Sequence, residues 1–255
     1  MERRSLAGDV RVLVAPRLER RGVLAAFTER GGGVSDPPFH SLNLGFRTGD
    51  DLQRVRRNRH RMVEALGIPP FSTARHVHGT ELVRVTKVGA GAGFEDPATA
   101  LGEADAVATD LPGLPVAVLV ADCLPIVLVA DDLLVLVHAG WRGLAAGILA
   151  TAASELGDPS AASAAIGPAI GPCHYEVGPE VVDAVDRGSP GGAVVERRDG
   201  RMALDLEATA SRALAASGVS DIEVMGGCTA CQPERFFSHR RDGRTGRHVM
   251  VAMRQ

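Results

Sequence analysis

Cys123 and His138 are the residues whose spacing first suggests chemistry. They bracket two valine- and leucine-rich runs, residues 125–130 and 133–138, separated by Asp131-Asp132. If the aspartates turn an antiparallel hairpin, opposed residues have indices summing to 263, so that Pro125 faces His138 and Cys123 faces Gly140. Side chains alternate with a period of two, which places Cys123 and His138 diagonally on one face, roughly 7–8 Å apart between Cα atoms. Metal bonds of about 2.3 Å to sulfur and about 2.0 Å to nitrogen close that gap. A third donor is on offer in Arg75-His76-Val77-His78-Gly79-Thr80, where the two histidines share a face if the segment is extended. One cysteine and two histidines leave a tetrahedral position open, the pattern of a catalytic rather than a structural zinc site. Taken singly, a histidine at a strand end is a common satisfied polar residue, and a cysteine in a valine-rich strand is commonly core.

Composition narrows the remaining chemistry. The 255 residues are 45% hydrophobic and 23% charged with net charge -3, the profile of one globular domain spanning residues 1–255. The near-neutral balance offers no general pull toward nucleic acid or anionic lipid. No run approaches the ~18 apolar residues of a membrane span, and residues 1–9 lack a signal-peptide core, so a cytoplasmic location is expected. Among 28 basic residues the only lysine is Lys87, which disfavours P-loop, pyridoxal and Schiff-base chemistry. Anions must then be held by arginines or backbone amides. The four cysteines, Cys123, Cys173, Cys228 and Cys231, point to metal binding or buried thiols rather than a disulfide framework.

The elements that must position these groups follow from periodicity. Residues 10–15 and 23–28 read as short strands, followed by a long loop over residues 30–49. Asp50 or Asp51 caps a helix through Leu66 that Gly67 ends, with Leu52, Val55, Met62, Val63 and Leu66 on one side and arginines on a solvated remainder. Residues 115–120, 125–130 and 133–138 read as buried sheet. Helices are expected over residues 143–156, 179–185 and 206–216, and strands near residues 81–88, 164–166, 193–196, 222–225 and 248–253. Helices and strands mix without a βαβ rhythm, and no G-x-G-x-x-G follows a strand. The fold class expected is therefore α/β (mixed α+β), a single-domain layered sandwich with a mixed sheet, not Rossmann.

Several motifs together carry a resemblance. Gly32-Gly33-Val34-Ser35, Ser41-Leu42-Asn43-Leu44-Gly45, Asn58-Arg59, Val77-His78-Gly79, Ala104-Asp105-Ala106, Ala121-Asp122-Cys123-Leu124-Pro125 and Val137-His138-Ala139-Gly140-Trp141-Arg142-Gly143 resemble the laccase-domain family. That family has been called multicopper polyphenol oxidases and later purine nucleoside phosphorylases. Gly167-Pro168, Tyr175-Glu176-Val177-Gly178, Cys228-Thr229, Phe236-Phe237-Ser238-His239-Arg240-Arg241 and Thr245-Gly246-Arg247 extend it nearly to the C-terminus, so it covers most of the chain. The single tryptophan, Trp141, and single tyrosine, Tyr175, both fall inside it.

The resemblance implies a metal site, zinc with copper as the alternative, on His78, Cys123 and His138, which are also the catalytic residues. It implies phosphorolysis of adenosine, inosine, guanosine and S-methyl-5'-thioadenosine, with adenosine deaminase activity besides. Where the family commonly has Gln before Val-His-Gly this chain has His76, which lines the pocket or adds a ligand. A three-ligand zinc lowers the pKa of bound water to about 7, as deamination requires. Phosphorolysis needs a placed anion, for which Arg142 and the helix start beside it, Arg59 and Arg240 are the candidates, while Asn43 can give an amide to base or ribose. The expected partners are purine nucleosides and phosphate, with no nucleic acid or membrane and a monomer or homodimer as the assembly.

Three other readings differ. Two histidines and a cysteine also describe blue copper, hence a copper-dependent polyphenol oxidase, but a multicopper oxidase needs a histidine-rich cluster, and His40, His60, His76, His174, His239 and His248 are scattered along the chain. A non-enzymatic cell-wall editing or interaction module is implied by the resemblance to some relatives. Finally, His174-Tyr175-Glu176 with Cys228-Thr229-Ala230-Cys231 approaches a nucleobase-deaminase signature, although Gly227 stands where proline is expected. A structural zinc on Cys228 and Cys231 would have only Cys173 and His174 as evident further donors.

Overall fold

The computed structural model describes residues 2–198 and 200–255, with nothing described of the Arg198 side chain. In chain order the elements are β1 (Glu2–Ser5), β2 (Arg11–Val14), α1 (Pro16–Glu19), β3 (Val23–Thr28), α2 (Leu52–Leu66), β4 (Leu82–Arg84), β5 (Ala106–Thr109), β6 (Val116–Val120), β7 (Leu124–Ala130), β8 (Leu133–Ala139), α3 (Trp141–Ala145), α4 (Ile148–Ser154), β9 (Ser163–Ile166), β10 (Glu176–Val177), α5 (Pro179–Gly188), β11 (Val195–Arg198), β12 (Arg201–Leu204), α6 (Leu206–Ala216), β13 (Asp221–Val224), α7 (His239–Asp242) and β14 (His248–Arg254). Met1, the first residue of the segment read for a leader, lies outside the described residues, and Glu2–Ser5 forms an edge strand against β2.

Two large sheets stack with helices on their outer faces. One has the order β1-β2-β3-β14-β6 and is antiparallel throughout. The other, β13-β9-β7-β8-β5-β4, is mixed, with parallel outer pairs β13/β9 and β5/β4. A small sheet, β10-β12-β11, stands apart from them. Alternation along single strands shows why the sequence reads as continuous hydrophobic runs. In β14, Met250 and Ala252 enter the layer between the large sheets, while Val249 and Val251 face the layer under α2. In β8, Leu134 and Leu136 face the inter-sheet layer, and Val135 and Val137 pack against the helices beyond. Strands buried on both faces cannot show an apolar/polar period, so valine and leucine density is the signal they leave. The expected mixed-sheet sandwich, and not a Rossmann fold, is what forms.

Helix α2 starts and stops as its sequence dictates. Asp51 accepts hydrogen bonds from the amides of Gln53 and Arg54, and Gly67 ends the helix in the left-handed conformation. Its faces differ from expectation at two residues: Leu52 is exposed, while Arg59 is buried within the apolar side. The helix expected over residues 143–156 is two helices, because Gly147 takes φ 86° and breaks the run between α3 and α4. The strand-like stretch 81–88 shortens to β4. Strands β1, β5, β10 and β12 escaped sequence reading, since each has four residues or fewer, too short to show a period, with pairing across the chain supplying the stability.

Candidate metal centre and cavity

The β7/β8 register is the one the hairpin arithmetic requires, with Pro125 opposite His138 and Ala130 opposite Leu133. Cys123 precedes β7 on the face of Val127 and Val129, and His138 shares the face of Leu134 and Leu136, so both project into the rim of the inter-sheet layer. The antiparallel pairing of β5 with β8, Ala106 opposite Val137, sets Asp105 opposite His138. Strand β8 thus presents its histidine between a thiol on one neighbouring strand end and a carboxylate on the other.

His78 arrives on the loop before β4. Donor atoms of His78, Cys123 and His138 all lie within 4.8 Å of one another, with Cys123 Sγ 3.8 Å from His78 Nε2. Of the two histidines left open by spacing, His78 joins the cluster. It does so with φ 63°, a left-handed conformation that a side chain other than glycine adopts at some cost. Asp105 holds that loop on both sides, its Oδ2 accepting from the amides of Val77 at 3.1 Å and Gly79 at 2.7 Å. Its Oδ1 accepts from His138 Nδ1 at 2.7 Å. One wholly buried carboxylate therefore orients the His138 imidazole and holds the loop that carries His78, leaving His138 Nε2 for an ion, as a carboxylate behind a metal-binding histidine commonly does. Gly140 permits the approach: a Cβ there would lie 3.1 Å from both Cys123 Sγ and a carbon of the His78 ring.

The charges suit a cation. Burial would push the Cys123 thiol up, but the charge and hydrogen bonds of His138, helped by His78, bring it down to about 6. Burial acts to lower His138, whereas the Cys123 thiolate and Asp105 raise it to about 9. Burial also opposes ionisation of Asp105, yet the bonds from His138, Gly79 and Val77 hold its carboxyl down at about 2. A thiolate and two imidazoles, backed by a carboxylate, are donors that zinc or copper accepts.

A cavity of about 480 Å³ opens over this cluster, within the range of roughly 300–1,000 Å³ usual for small-molecule sites. Its wall contains Arg47, Arg59, Arg75, Arg142 and Arg247, the histidines His76, His78, His138 and His239, and no carboxylate among the described residues. Arg75 is paired with Glu103 at the rim. Arg247 donates to the carbonyls of Thr245 and Gly246, and the Arg142 guanidinium lies 4.4 Å from the centre of the Trp141 ring. His76 stacks on His138 at 4.5 Å, and its Nε2 is buried without a hydrogen-bond partner among the described residues. Burial, reinforced by the charge of His138, pushes His76 down to about 3 and keeps it neutral.

The residues expected to hold substrate fall into two groups. Arg142 reaches the cavity. Arg59 reaches it only from beneath, because its guanidinium is spent on the carbonyls of Leu44, Gly93 and Phe94 and lies over Phe46 at 4.2 Å. Asn43 is wholly buried outside the cavity wall: it donates to Thr48 and Asp50 and accepts from the amides of Gly45 and Arg247, which ties its own loop to the C-terminal strand. Arg240 also lies outside the wall, donating to the Glu176 carbonyl and covering the Tyr175 ring at 4.9 Å. Sequence reading gave no role to Asp105, Arg47, Arg75, Arg247 or His239. A carboxylate inside Ala104-Asp105-Ala106-Val107-Ala108 was a detectable signal, since a charge in an apolar strand requires a partner. No local signal marks the arginines, which reach the cavity from separate loops.

The chain is similar to known proteins over nearly its whole length. The family described as multi-copper polyphenol oxidoreductase laccase matches residues 24–255. A protein named purine nucleoside phosphorylase YlmD from Geobacillus stearothermophilus is 42% identical, over 89% of this chain and 88% of that one. A purine nucleoside phosphorylase from Xylella fastidiosa is 43% identical, over 94% and 96%. Among solved structures, that of Geobacillus stearothermophilus YlmD superposes with a TM-score of 0.87 at 40% identity, covering 92% of each chain. Bacillus licheniformis YfiH gives 0.90 at 33% identity, covering 99% of each.

Proposed function

The chain belongs to the laccase-domain family, and from that premise we propose that it is a purine nucleoside phosphorylase whose reaction centre is His78, Cys123 and His138. The observation that carries this reading is a single cavity joining a three-donor metal site to an arginine-rich wall without carboxylates. The names of relatives 35–43% identical support the nucleoside and phosphate as substrates. A zinc ion on the three donors, with a tetrahedral position left to substrate, would supply Lewis acidity; copper is the alternative that thiolate and imidazole tolerate.

The chain's own groups supply the rest. Arg142, Arg47 and Arg247 bind phosphate by charge-assisted hydrogen bonds and set one of its oxygens against the anomeric carbon. An oxygen of hydrogen phosphate bonds to that carbon, the glycosidic C–N bond breaks with its electron pair going to the purine, and the purine leaves carrying the proton that the phosphate gives up. Neutral His76 offers its unpaired Nε2 to the base or ribose, so it lines the pocket. Asp105 fixes the His138 tautomer throughout, because its carboxylate accepts the Nδ1 proton. Adenosine, inosine, guanosine and S-methyl-5'-thioadenosine are the substrates within this reading. With water in place of phosphate, displacement of ammonia from adenosine C6 gives the deaminase activity.

The oxidase reading lacks a second histidine centre among the described residues. His60 pairs with Glu95, His248 accepts from the Phe237 amide deep in the aromatic packing, and His174 lies among cysteines. Chromatography of products from a nucleoside panel, with and without phosphate and with metal analysis of the same sample, tests the proposal. Phosphate-dependent release of free purine is expected. Oxygen uptake exceeding nucleoside turnover would make it an oxidase, and no turnover of any nucleoside by metal-loaded protein would make it a binding module.

A further inference from the structure

A second group of soft donors lies outside the cavity. Cys173 and His174 come from the loop between β9 and β10, and Cys228 and Cys231 from the segment after β13; their donor atoms all fall within 4.8 Å of one another. Cys173 Sγ is 3.5 Å from Cys228 Sγ and 3.3 Å from Cys231 Sγ. His174 Nδ1 is 3.3 Å from Cys173 Sγ and 3.4 Å from Cys231 Sγ. For tetrahedral zinc, bonds of about 2.3 Å to sulfur and about 2.0 Å to nitrogen place donors roughly 3.5–3.8 Å apart, so these four groups already stand near the edges of one coordination tetrahedron. The Gly171 amide points at Cys228 Sγ from 3.2 Å, a donor suited to a metal-bound thiolate.

We propose that Cys173, His174, Cys228 and Cys231 form a structural zinc site, closed by four protein ligands and separate from the cavity centre. The sequence offered Cys173 and His174 as the evident further donors to Cys228 and Cys231, but 53 residues lie between His174 and Cys228, a distance only tertiary structure removes. The loops are brought together by sheet pairing. Parallel β9 and β13 continue beyond their ends to a bridge between Ala169 and Cys228, which aligns the two donor loops side by side.

What the ion would hold follows from the neighbours. Thr229, between the two cysteines, donates to Asp122 Oδ1 at 2.6 Å, and the Ile170 amide donates to the Asp122 carbonyl at 3.0 Å. Asp122 has φ 91° and immediately precedes Cys123. A zinc ion across the two loops therefore fixes the segment that keeps this strained residue in place, and acts on the cavity centre only through it. Three thiols this close are also able to form a disulfide, which requires an S–S distance of about 2.05 Å and would leave one cysteine over. That is the competing outcome.

The ion counts below take the cavity centre as metal-loaded, whereas the sulfur count in Cys123→Ala reads the second site by itself, and the test reads metal rather than turnover. The full chain is prepared under reductant, loaded with zinc and passed through a column to remove loose metal. Two zinc ions per chain are expected in the wild type, one in Cys123→Ala and one in a Cys173→Ser/Cys231→Ser variant. X-ray absorption of Cys123→Ala should show three sulfur neighbours and one nitrogen. Folded Cys123→Ala without zinc, or zinc with fewer than two sulfur neighbours, overturns the proposal. If the variants do not fold, cobalt substitution of the wild type decides: two ions with the charge-transfer absorption of four thiolates support it, and one ion with that of a single thiolate refutes it.

Discussion

The two cysteine–histidine clusters are neighbours through Asp122 yet are built on different principles. The cavity cluster takes three donors, sits at the rim of the inter-sheet layer and has a buried carboxylate behind it. The other takes four donors, three of them exposed, and has a backbone amide behind it. Three donors with an arginine-lined void leave room for a reactant; four donors leave none. The number of protein ligands and the space above them, rather than the residue types, separate a reaction centre from a staple.

The largest expected contrast comes from removing one thiol at each cluster. Cys123→Ala should lower phosphate-dependent purine release by ~10³-fold or more, because several kcal/mol of charge stabilisation disappear. Cys231→Ser should instead lower the melting temperature, by roughly 6–12 °C for a loss of about 3 kcal/mol. Calorimetry and product assays on both proteins check this, and equal thermal losses would erase the distinction. A sharper probe is Asp105→Asn, expected to weaken metal binding at the cavity by roughly 10- to 100-fold while leaving the other ion in place. Chelator competition with ion counting measures it.

Arg142→Ala tests whether the void above the three donors takes an anion. It should raise the KM for phosphate by roughly tenfold, equivalent to about 1.5 kcal/mol from one charge-assisted hydrogen bond, with metal content unchanged. Saturation curves in phosphate at fixed nucleoside provide the readout. A last contrast is with pH, and it comes from the aromatic core beside the inter-sheet layer. Buried His248, wedged among Phe27, Phe236 and Phe237, is pushed by burial from its ordinary value down to about 3. The unfolded chain then binds a proton between about pH 6.5 and pH 3 that the folded chain refuses. This part of the stability is therefore complete above pH 6.5 and declines as pH falls through that window. Denaturant melts of metal-free protein from pH 7 to pH 4, with His248→Gln as the flatter control, follow it.

Much of this was legible before the fold was known, and unevenly so. The hairpin register around Asp131-Asp132 followed from counting, since a two-residue turn fixes every opposed pair. The caps of α2 followed from Asp51 and Gly67. Arg59 was misread as belonging to a solvated face, because helical periodicity does not reveal that three carbonyls from other segments wait beneath it. Asn43 and Arg240 stood in recognisable motifs, but a motif does not say whether its side chain points into a cavity or holds the loop beside it.

The sequence alone determined the longer buried strands, the pairing of Cys123 with His138 on one face, and a chemistry built on arginine instead of lysine, all of which depend on residue type and local spacing. Spacing left His76 and His78 open and the resemblance pointed to His78, but only the tertiary structure brings that imidazole to Cys123 and His138, sets Asp105 behind them, and carries Cys173 and His174 to Cys228 and Cys231. Those choices rest on contacts between distant segments, whose geometry is set by sheet order and register and leaves no periodic trace along the chain.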